Sequence, residues 1–140
     1  MHLKFKHLLD ISAKLRGEGG CPWDREQTLE TMRPLVLDEA QELSEAIEHA
    51  RSAPTKKNIE NIEEEIGDVL FCLIMISQIA HEKGHFDMGT VLEKNVHKLI
   101  SRHTWVFGDD KAETAEEALA LWKKNKHAAA KRRRIKKEKE

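Results

Sequence analysis

The sequence predicts an all-α protein: an antiparallel bundle of four to five helices, completed by oligomerisation. Apolar residues recur at three- and four-residue spacing in segments that glycine or proline separates, and no segment has the pattern of a strand. Residues 58–80, NIENIEEEIGDVLFCLIMISQIA, begin acidic and become apolar nearly all round. A helix without a polar face is buried on every side. Its apolar run is too short to span a bilayer, so this helix belongs in a core or at a subunit interface.

The helices before this central one are predicted from their apolar spacing and their breakers. Residues 3–16 form the first helix, which a group of glycines ends. In the loop that follows, Pro22 stops any helix and Asp24 caps a short new one. The next long helix begins at residue 31 or 32, holds Pro34 in its first turn, and runs to about residue 51.

The second half of the chain continues the bundle. A turn at residues 52–57 makes the two central helices antiparallel neighbours. A helix over residues 88–103 turns an apolar face inward, residues 104–110 form a loop, and a last helix begins at about residue 114. The residues predicted on the inward face are Val91, Leu92, Val96, Leu99 and Ile100.

Length and composition narrow the class of protein. The 140 residues predict one domain, residues 1–128, followed by a basic tail, residues 129–140, that is disordered or a frayed helix. Charged residues make up 35% of the chain with a formal net charge of −1, which excludes a globally basic nucleic-acid binder. We find no signal peptide and no membrane span. Cys21 and Cys72 show neither disulfide nor metal-binding spacing, which indicates reduced thiols and a cytoplasmic protein.

Two acidic pairs interrupt the apolar stripes of the central helices. Glu65 and Asp68 are three residues apart on one helix, and Glu39 and Glu42 repeat this spacing on the other. On antiparallel neighbours, the two pairs place four carboxylates around one small volume. Like charges at that distance repel strongly unless they are protonated or bridged by cations. The alternative is a salt-bridged helix surface, but two such pairs inside apolar stripes favour a site.

Oxygen ligands without a nearby histidine predict Mg²⁺, or Mn²⁺, rather than zinc. Helical di-iron sites use a similar carboxylate geometry but add Glu-x-x-His pairs, which this chain lacks. Magnesium bound through carboxylates usually keeps positions open for water and substrate phosphates. The acidic cluster therefore predicts phosphate chemistry.

Basic and aromatic residues supply possible contacts for such a substrate. Lys98 and Arg102 lie four apart on one predicted helix, and Trp122 and Lys126 lie four apart on another. Phosphate oxygens are bound by lysine and arginine, and a nucleobase stacks on an aromatic face. Trp23, in the loop before the first acidic pair, is either a lid over the core or a ligand contact.

The segments GGCPWDREQT, LVLDEAQELSEAI, EEIGDVLF and GHFDMGTVLEKNVHKLISRHTWVFGD resemble the MazG nucleoside triphosphate pyrophosphohydrolases. The resemblance covers roughly residues 19–126. It implies an all-α, Mg²⁺-dependent enzyme, working as a homodimer or homotetramer, that converts nucleoside triphosphates to the monophosphate and pyrophosphate. The family's metal ligands fall on Glu39, Glu42, Glu65 and Asp68. Its substrate contacts fall on Lys98, Arg102, Trp122 and Lys126.

The chain departs from the family pattern in two places. Asp38 stands where a glutamate is usual, and Thr104–Trp105 replaces the more common Pro-His. These departures bear on substrate preference and leave the reaction class unchanged. Asp38 or Glu64 is the expected proton acceptor, and the base stacks on Trp122 or on Trp23.

The expected role is the house-cleaning of nucleotide pools. The alternatives are a dCTP- or dUTP-directed pyrophosphatase or a phosphoribosyl-ATP pyrophosphohydrolase on the same scaffold. A further alternative is a non-enzymatic helical module that binds nucleic acid through its basic tail, although such tails are more often solubilising ends.

Overall fold

The computed structural model describes residues 1–139, and in this part of the chain every regular element is a helix. The all-α class is therefore confirmed, and two helices of about one turn accompany the five long ones. The helices are α1 (His2–Arg16), α2 (Pro22–Glu26), α3 (Leu29–Ser52), α4 (Lys56–Glu82), α5 (Met88–Arg102), α6 (Thr104–Phe107) and α7 (Ala115–Glu138). No helix within residues 1–139 combines the length and apolarity that a membrane crossing requires.

The chain divides into two compact units, and the boundary between them falls inside the range predicted as one domain. The first is Met1–Met88 and the second is Gly89–Glu140. The first unit contains the buried core, in which Met32, Cys72, Met75 and Ile79 pack together. These residues come from α3 and α4, so the core lies along the antiparallel pair of central helices.

The α3–α4 hairpin forms because both helices are capped and the connection is short. Thr28 caps α3 through a reciprocal pair of hydrogen bonds with Thr31, so the helix begins earlier than the predicted residue 31 or 32 and Pro34 lies beyond its first turn. Thr55 caps α4 by accepting a hydrogen bond from the Asn58 amide. Residues 53–55 alone connect the two helices.

Two side chains attach α1 to α4. The Ser12 hydroxyl, fully buried, donates to the Met75 sulfur at 3.3 Å. Arg16 ends α1, and its guanidinium forms an ion pair with Glu82 at 2.7 Å. The loop after α1 differs from the prediction, because Pro22 begins α2 instead of preventing a helix. The N-cap of α2 is Cys21, and Asp24 lies inside the helix and is buried, so its predicted capping role was wrong.

The central helix α4 is covered on only part of its surface within the single chain. Ile74, Met75 and Ile79 are almost fully buried, whereas Ile66 and Leu73 are 52% and 46% exposed. The prediction that the apolar half of this helix is buried on every side therefore does not hold for the chain alone.

The second unit contains no buried residue between 89 and 139. The apolar residues of α5 that were predicted to point inward are 39% to 54% exposed, so that prediction was wrong for the single chain. Residues 104–107 form α6, within the range predicted as a loop. Helix α7 continues through the basic tail to Glu138, where a disordered or frayed end was predicted; Glu140 lies outside the described residues.

Candidate active site

Three carboxylates of the central hairpin converge. Oxygen atoms of Glu39, Glu42 and Glu65 lie within 4.8 Å of one another. Helices α3 and α4 place them there because both acidic pairs occur at three-residue spacing on antiparallel neighbours. Glu39 and Glu65 are half-buried, and Glu42 is exposed.

The fourth predicted ligand, Asp68, is exposed and lies outside this group of three. The charge of Asp68 nevertheless affects the carboxylates of the group. Burial is the largest cause that raises the pKa of Glu39, and the charges of Asp68 and Glu42 raise it further. Burial, followed by Glu42 and Asp68, also raises the pKa of Glu65. The four predicted metal ligands therefore form one electrostatically coupled cluster.

One oxygen of the cluster has no partner. The Oε2 atom of Glu65 is inaccessible to solvent and accepts no hydrogen bond within residues 1–139. The ion pairs found in this part of the chain also involve none of the four carboxylates. A buried carboxylate oxygen is costly without a partner. The all-oxygen donor set and the unpartnered atom fit a hard divalent cation such as Mg²⁺.

Asp38 and Glu64, the predicted proton acceptors, flank the cluster. Each immediately precedes a predicted ligand in the chain, Glu39 and Glu65 respectively, and both are exposed. Their charges contribute to the raised pKa values of those neighbours. The structure therefore places both carboxylates beside the cluster without separating their roles.

A cavity of about 190 Å³ opens beside the carboxylates. Glu39, Asp68 and Asp24 are its polar lining residues. Its remaining lining is apolar or aromatic and consists of Trp23, Met32, Leu35, Phe71, Cys72 and Met75. Burial, followed by the charges of Glu39 and Asp68, raises the pKa of the Cys72 thiol, so this cysteine stays protonated.

Trp23 is 56% exposed on α2 and lines this cavity, which supports the reading as a ligand contact. Neither the apolar lining of the cavity nor the place of Asp24 in it was predicted from the sequence. The apolar spacing predicts these residues only as core, and the sequence gives no sign that Asp24 is buried.

The second unit brings together three of the predicted substrate contacts. The Arg102 guanidinium carbon and the Lys126 amine lie over the Trp122 ring, at 5.1 Å and 5.3 Å from its centre. Asn125 fixes the α5–α6 junction by donating to the Arg102 carbonyl and to the Thr104 hydroxyl. Lys98 lies a turn before Arg102 and is exposed.

Comparisons with known proteins find relatives of this chain. Residues 27–107 match the model of the MazG nucleotide pyrophosphohydrolase domain. Nucleoside triphosphate pyrophosphohydrolase from Escherichia coli K12 is 38% identical over 120 residues, which is 85% of this chain and 43% of that protein. The nucleoside triphosphate pyrophosphohydrolase/pyrophosphatase MazG of Thermotoga maritima is 43% identical over 105 residues, 75% of this chain and 38% of that protein.

The chain thus spans about two fifths of the length of these curated relatives. A crystal structure of a MazG-related protein from Thermotoga maritima superposes with a TM-score of 0.68 at 30% identity, covering 87% of this chain and 98% of that one. The matched residues include all four carboxylates of the cluster. On these grounds the chain belongs to the MazG nucleotide pyrophosphohydrolase domain family.

Proposed function

We propose that this chain hydrolyses nucleoside triphosphates to the monophosphate and pyrophosphate with Mg²⁺, or Mn²⁺, as its cofactor, and that it serves to clean nucleotide pools. The observation that carries the proposal is the convergence of Glu39, Glu42 and Glu65 around an unpartnered buried oxygen. A cluster with only a structural role would be expected to contain its own lysine or arginine. The relatives named for this reaction support the same assignment.

In this proposal Glu39, Glu42, Glu65 and Asp68 hold the metal. Mg²⁺, when bound, supplies polarisation of the α-phosphoryl group and a lowered pKa for the attacking water. Asp38 or Glu64 accepts the proton of that water, because each is an exposed carboxylate next to a ligand. Comparing Asp38→Asn with Glu64→Gln at saturating Mg²⁺ distinguishes them, since only the acceptor's loss should lower kcat while the metal affinity stays unchanged.

Lys98, Arg102 and Lys126 neutralise the charge of the β- and γ-phosphates, where the leaving pyrophosphate develops. Trp122 already holds two cations over its ring, which makes it a positioning residue for Arg102 and Lys126 and a poor platform for a base. We therefore assign the nucleobase to Trp23, whose exposed ring lines the apolar cavity.

We also propose that the enzyme is a homodimer or homotetramer. Ile59, Ile66 and Leu73 form an exposed stripe on α4 at seven-residue spacing, about two turns, and α5 exposes an apolar face. We expect a light-scattering mass of at least twice the 16.1 kDa chain. An Ile66→Glu variant should reduce the mass, whereas Glu60→Gln on the same helix should not. A wild-type mass of one chain at micromolar concentration would refute the proposal.

The activity is tested by measuring pyrophosphate release from the eight common nucleoside triphosphates, with and without Mg²⁺. The same panel, extended to phosphoribosyl-ATP, distinguishes a general enzyme from a dCTP-, dUTP- or phosphoribosyl-ATP-directed one. Glu42→Gln should lower kcat/KM by about a hundredfold or more, since even outer-shell partners of a metal contribute tenfold to a hundredfold. Glu45→Gln, an exposed carboxylate on the same helix, is the matched control and should keep full activity. Failure to release pyrophosphate from any of these substrates would overturn the proposal.

A further inference from the structure

Asp24 is a buried residue whose carboxylate oxygens keep some access to solvent and have no partner within residues 1–139. The residue is 8% exposed and lines the cavity beside Trp23. Within residues 1–139, no hydrogen bond or ion pair to its carboxylate is found; the neighbouring Arg16 donates to its main-chain carbonyl instead. Buried carboxylates are normally paired or hydrogen-bonded. The partner of Asp24 is therefore expected to come from outside the chain, through the cavity.

The main chain of Asp24 is held by Arg16, which also binds the C-terminal end of α4. Arg16 bonds the Asp24 carbonyl with Nη1 and binds Glu82 with Nε and Nη2. Glu82 ends α4, and at 1.5 Å per residue it lies about 21 Å along the helix from Asp68. The cavity itself is lined by Asp24 together with Glu39 and Asp68.

The side chains around Asp24 favour an organic ligand over a metal ion. Met32, Phe71 and Met75 line the cavity with Trp23, and the other two carboxylates of the cavity, Glu39 and Asp68, belong to the cluster assigned to the metal. A flat apolar ligand that carries N–H donors on its edge satisfies both the aromatic wall and the carboxylate. Nucleobases with an exocyclic amino group have this chemistry. In uracil and hypoxanthine the matching position has a carbonyl oxygen or no donor.

We propose that the Asp24 carboxylate accepts a hydrogen bond from the exocyclic amino group of the base and so selects guanine, cytosine and adenine nucleotides over uracil and hypoxanthine ones. This inference rests on the proposed function, because it takes the cavity as the base subsite of that reaction. Asp24 is then a specificity-determining residue, and Arg16 positions it by holding its backbone.

The test compares nucleotides that differ in the amino group, by binding as well as by turnover. Calorimetric titration with GMP against IMP, and with CMP against UMP, measures binding without catalysis. We expect the wild-type protein to bind GMP and CMP about tenfold or more tightly than IMP and UMP, the scale of a hydrogen bond to a charged group. The ratio of kcat/KM for the corresponding triphosphates should follow the same order.

Asp24→Asn removes the charge that strengthens this hydrogen bond and one of the two acceptor oxygens at nearly constant volume, so both ratios should fall severalfold toward one. Glu26→Gln removes an exposed carboxylate from the same short helix and should keep the wild-type ratios. If Asp24→Asn does not fold, the wild-type ratios decide on their own: equal affinities within each pair overturn the inference.

The remaining outcomes separate this inference from the proposed function. Turnover of all nucleotides at equal kcat/KM, or a preference that is undiminished in Asp24→Asn, overturns the role of Asp24 and leaves the hydrolysis standing. Absence of turnover together with a monophosphate preference that Asp24→Asn diminishes supports Asp24 and overturns the hydrolysis. Absence of both binding and base preference overturns the inference.

Discussion

The molecule gathers like charges in two places and handles them differently. In the first unit, Glu39, Glu42 and Glu65 converge without an ion pair to any of residues 1–139, and the Oε2 atom of Glu65 is buried there without a hydrogen bond. In the second unit, Arg102 and Lys126 share the electron-rich face of Trp122, which attracts each cation. The acidic cluster therefore has no compensating charge of its own within residues 1–139, whereas the basic cluster is stabilised by its own aromatic ring.

The largest expected effect is the response of the acidic cluster to metal. Mg²⁺ that binds only the folded chain should stabilise it by about 2.7 kcal/mol at a hundredfold excess over Kd. The metal-free chain should stay helical, because its core of α3 and α4 does not depend on the metal. Thermal unfolding with Mg²⁺ and with NaCl of equal ionic strength measures the difference, since simple screening treats the two salts alike.

The Glu39→Gln, Glu65→Gln double variant is the control for this prediction, and its shift with Mg²⁺ should equal that with NaCl. If the wild-type chain also shows equal shifts, the four carboxylates do not form a metal site and the contrast between the clusters disappears.

A pair of opposite charges provides the next test. Arg16 is 8% exposed and binds Glu82 as well as two main-chain carbonyls, so Arg16→Met should cost about 2 kcal/mol. Its hydrogen bonds lower the pKa of Glu82. The stabilisation is therefore complete above the usual pKa of a glutamate and is lost as pH falls through the lowered value. Urea unfolding at neutral and at acidic pH should show the difference between wild type and variant shrinking in acid.

Lys6→Met is the matched control, because Lys6 forms an exposed ion pair with Asp10 at 2.7 Å. Such surface pairs contribute about 0.2 to 1 kcal/mol. Equal losses for Arg16→Met and Lys6→Met would show that burial adds nothing to the Arg16 contacts.

In the basic cluster, Trp122→Leu should remove the attraction between the ring and its two cations. Because Lys126 is exposed, we expect a loss of about 0.5 to 1 kcal/mol in unfolding free energy. Trp105→Leu is the control. Among the ring contacts of residues 1–139, Trp105 contacts only His103. If Trp122→Leu raises stability, the ring does not offset the repulsion between Arg102 and Lys126.

The smallest effect is expected for Glu39→Gln in metal-free buffer at neutral pH. Burial and the neighbouring carboxylates raise the pKa of Glu39, so its ionised form destabilises the folded chain. The variant should therefore melt at the wild-type temperature or slightly above it, although it should lose activity. A clear fall in Tm would show that the Glu39 carboxylate stabilises the fold, and the acidic cluster would then not differ from the basic one.

The sequence predicts the hairpin well because its signals are local. The acidic pairs and the apolar stripes of α3 and α4 follow directly from residue spacing. The predicted start of α3 lies two or three residues too far along the chain. The capping box that begins this helix pairs Thr28 with Thr31, whereas the more familiar capping box has a glutamate at the second position. Pro22 was read as a breaker although proline fits the first turn of a helix, where its missing N–H is not needed.

The parts that sequence reasoning missed depend on contacts between distant segments. The amphipathic pattern of α5 shows that one face needs cover but does not show what covers it, so its exposure in the single chain could not be predicted. The position of Asp24 at the cavity likewise could not be predicted, because it depends on Arg16 of α1, which binds the main chain of α2 and of the residue after it. The convergence of Glu39, Glu42 and Glu65 was predictable because residue spacing on two adjacent helices determines it.

The attachment of α1 to α4 has a consequence for the order of folding. Ser12 contacts Met75 and Arg16 contacts Glu82 across 63 and 66 residues of sequence, whereas α3 and α4 are joined by residues 53–55 alone. Closing the longer loops costs more chain entropy, so the hairpin is expected to form first. A folding chain would then possess its carboxylate cluster before α1 docks and brings Trp23 and Asp24 over the cavity. Mutations in α1 should accordingly slow the appearance of base recognition more than the appearance of metal binding.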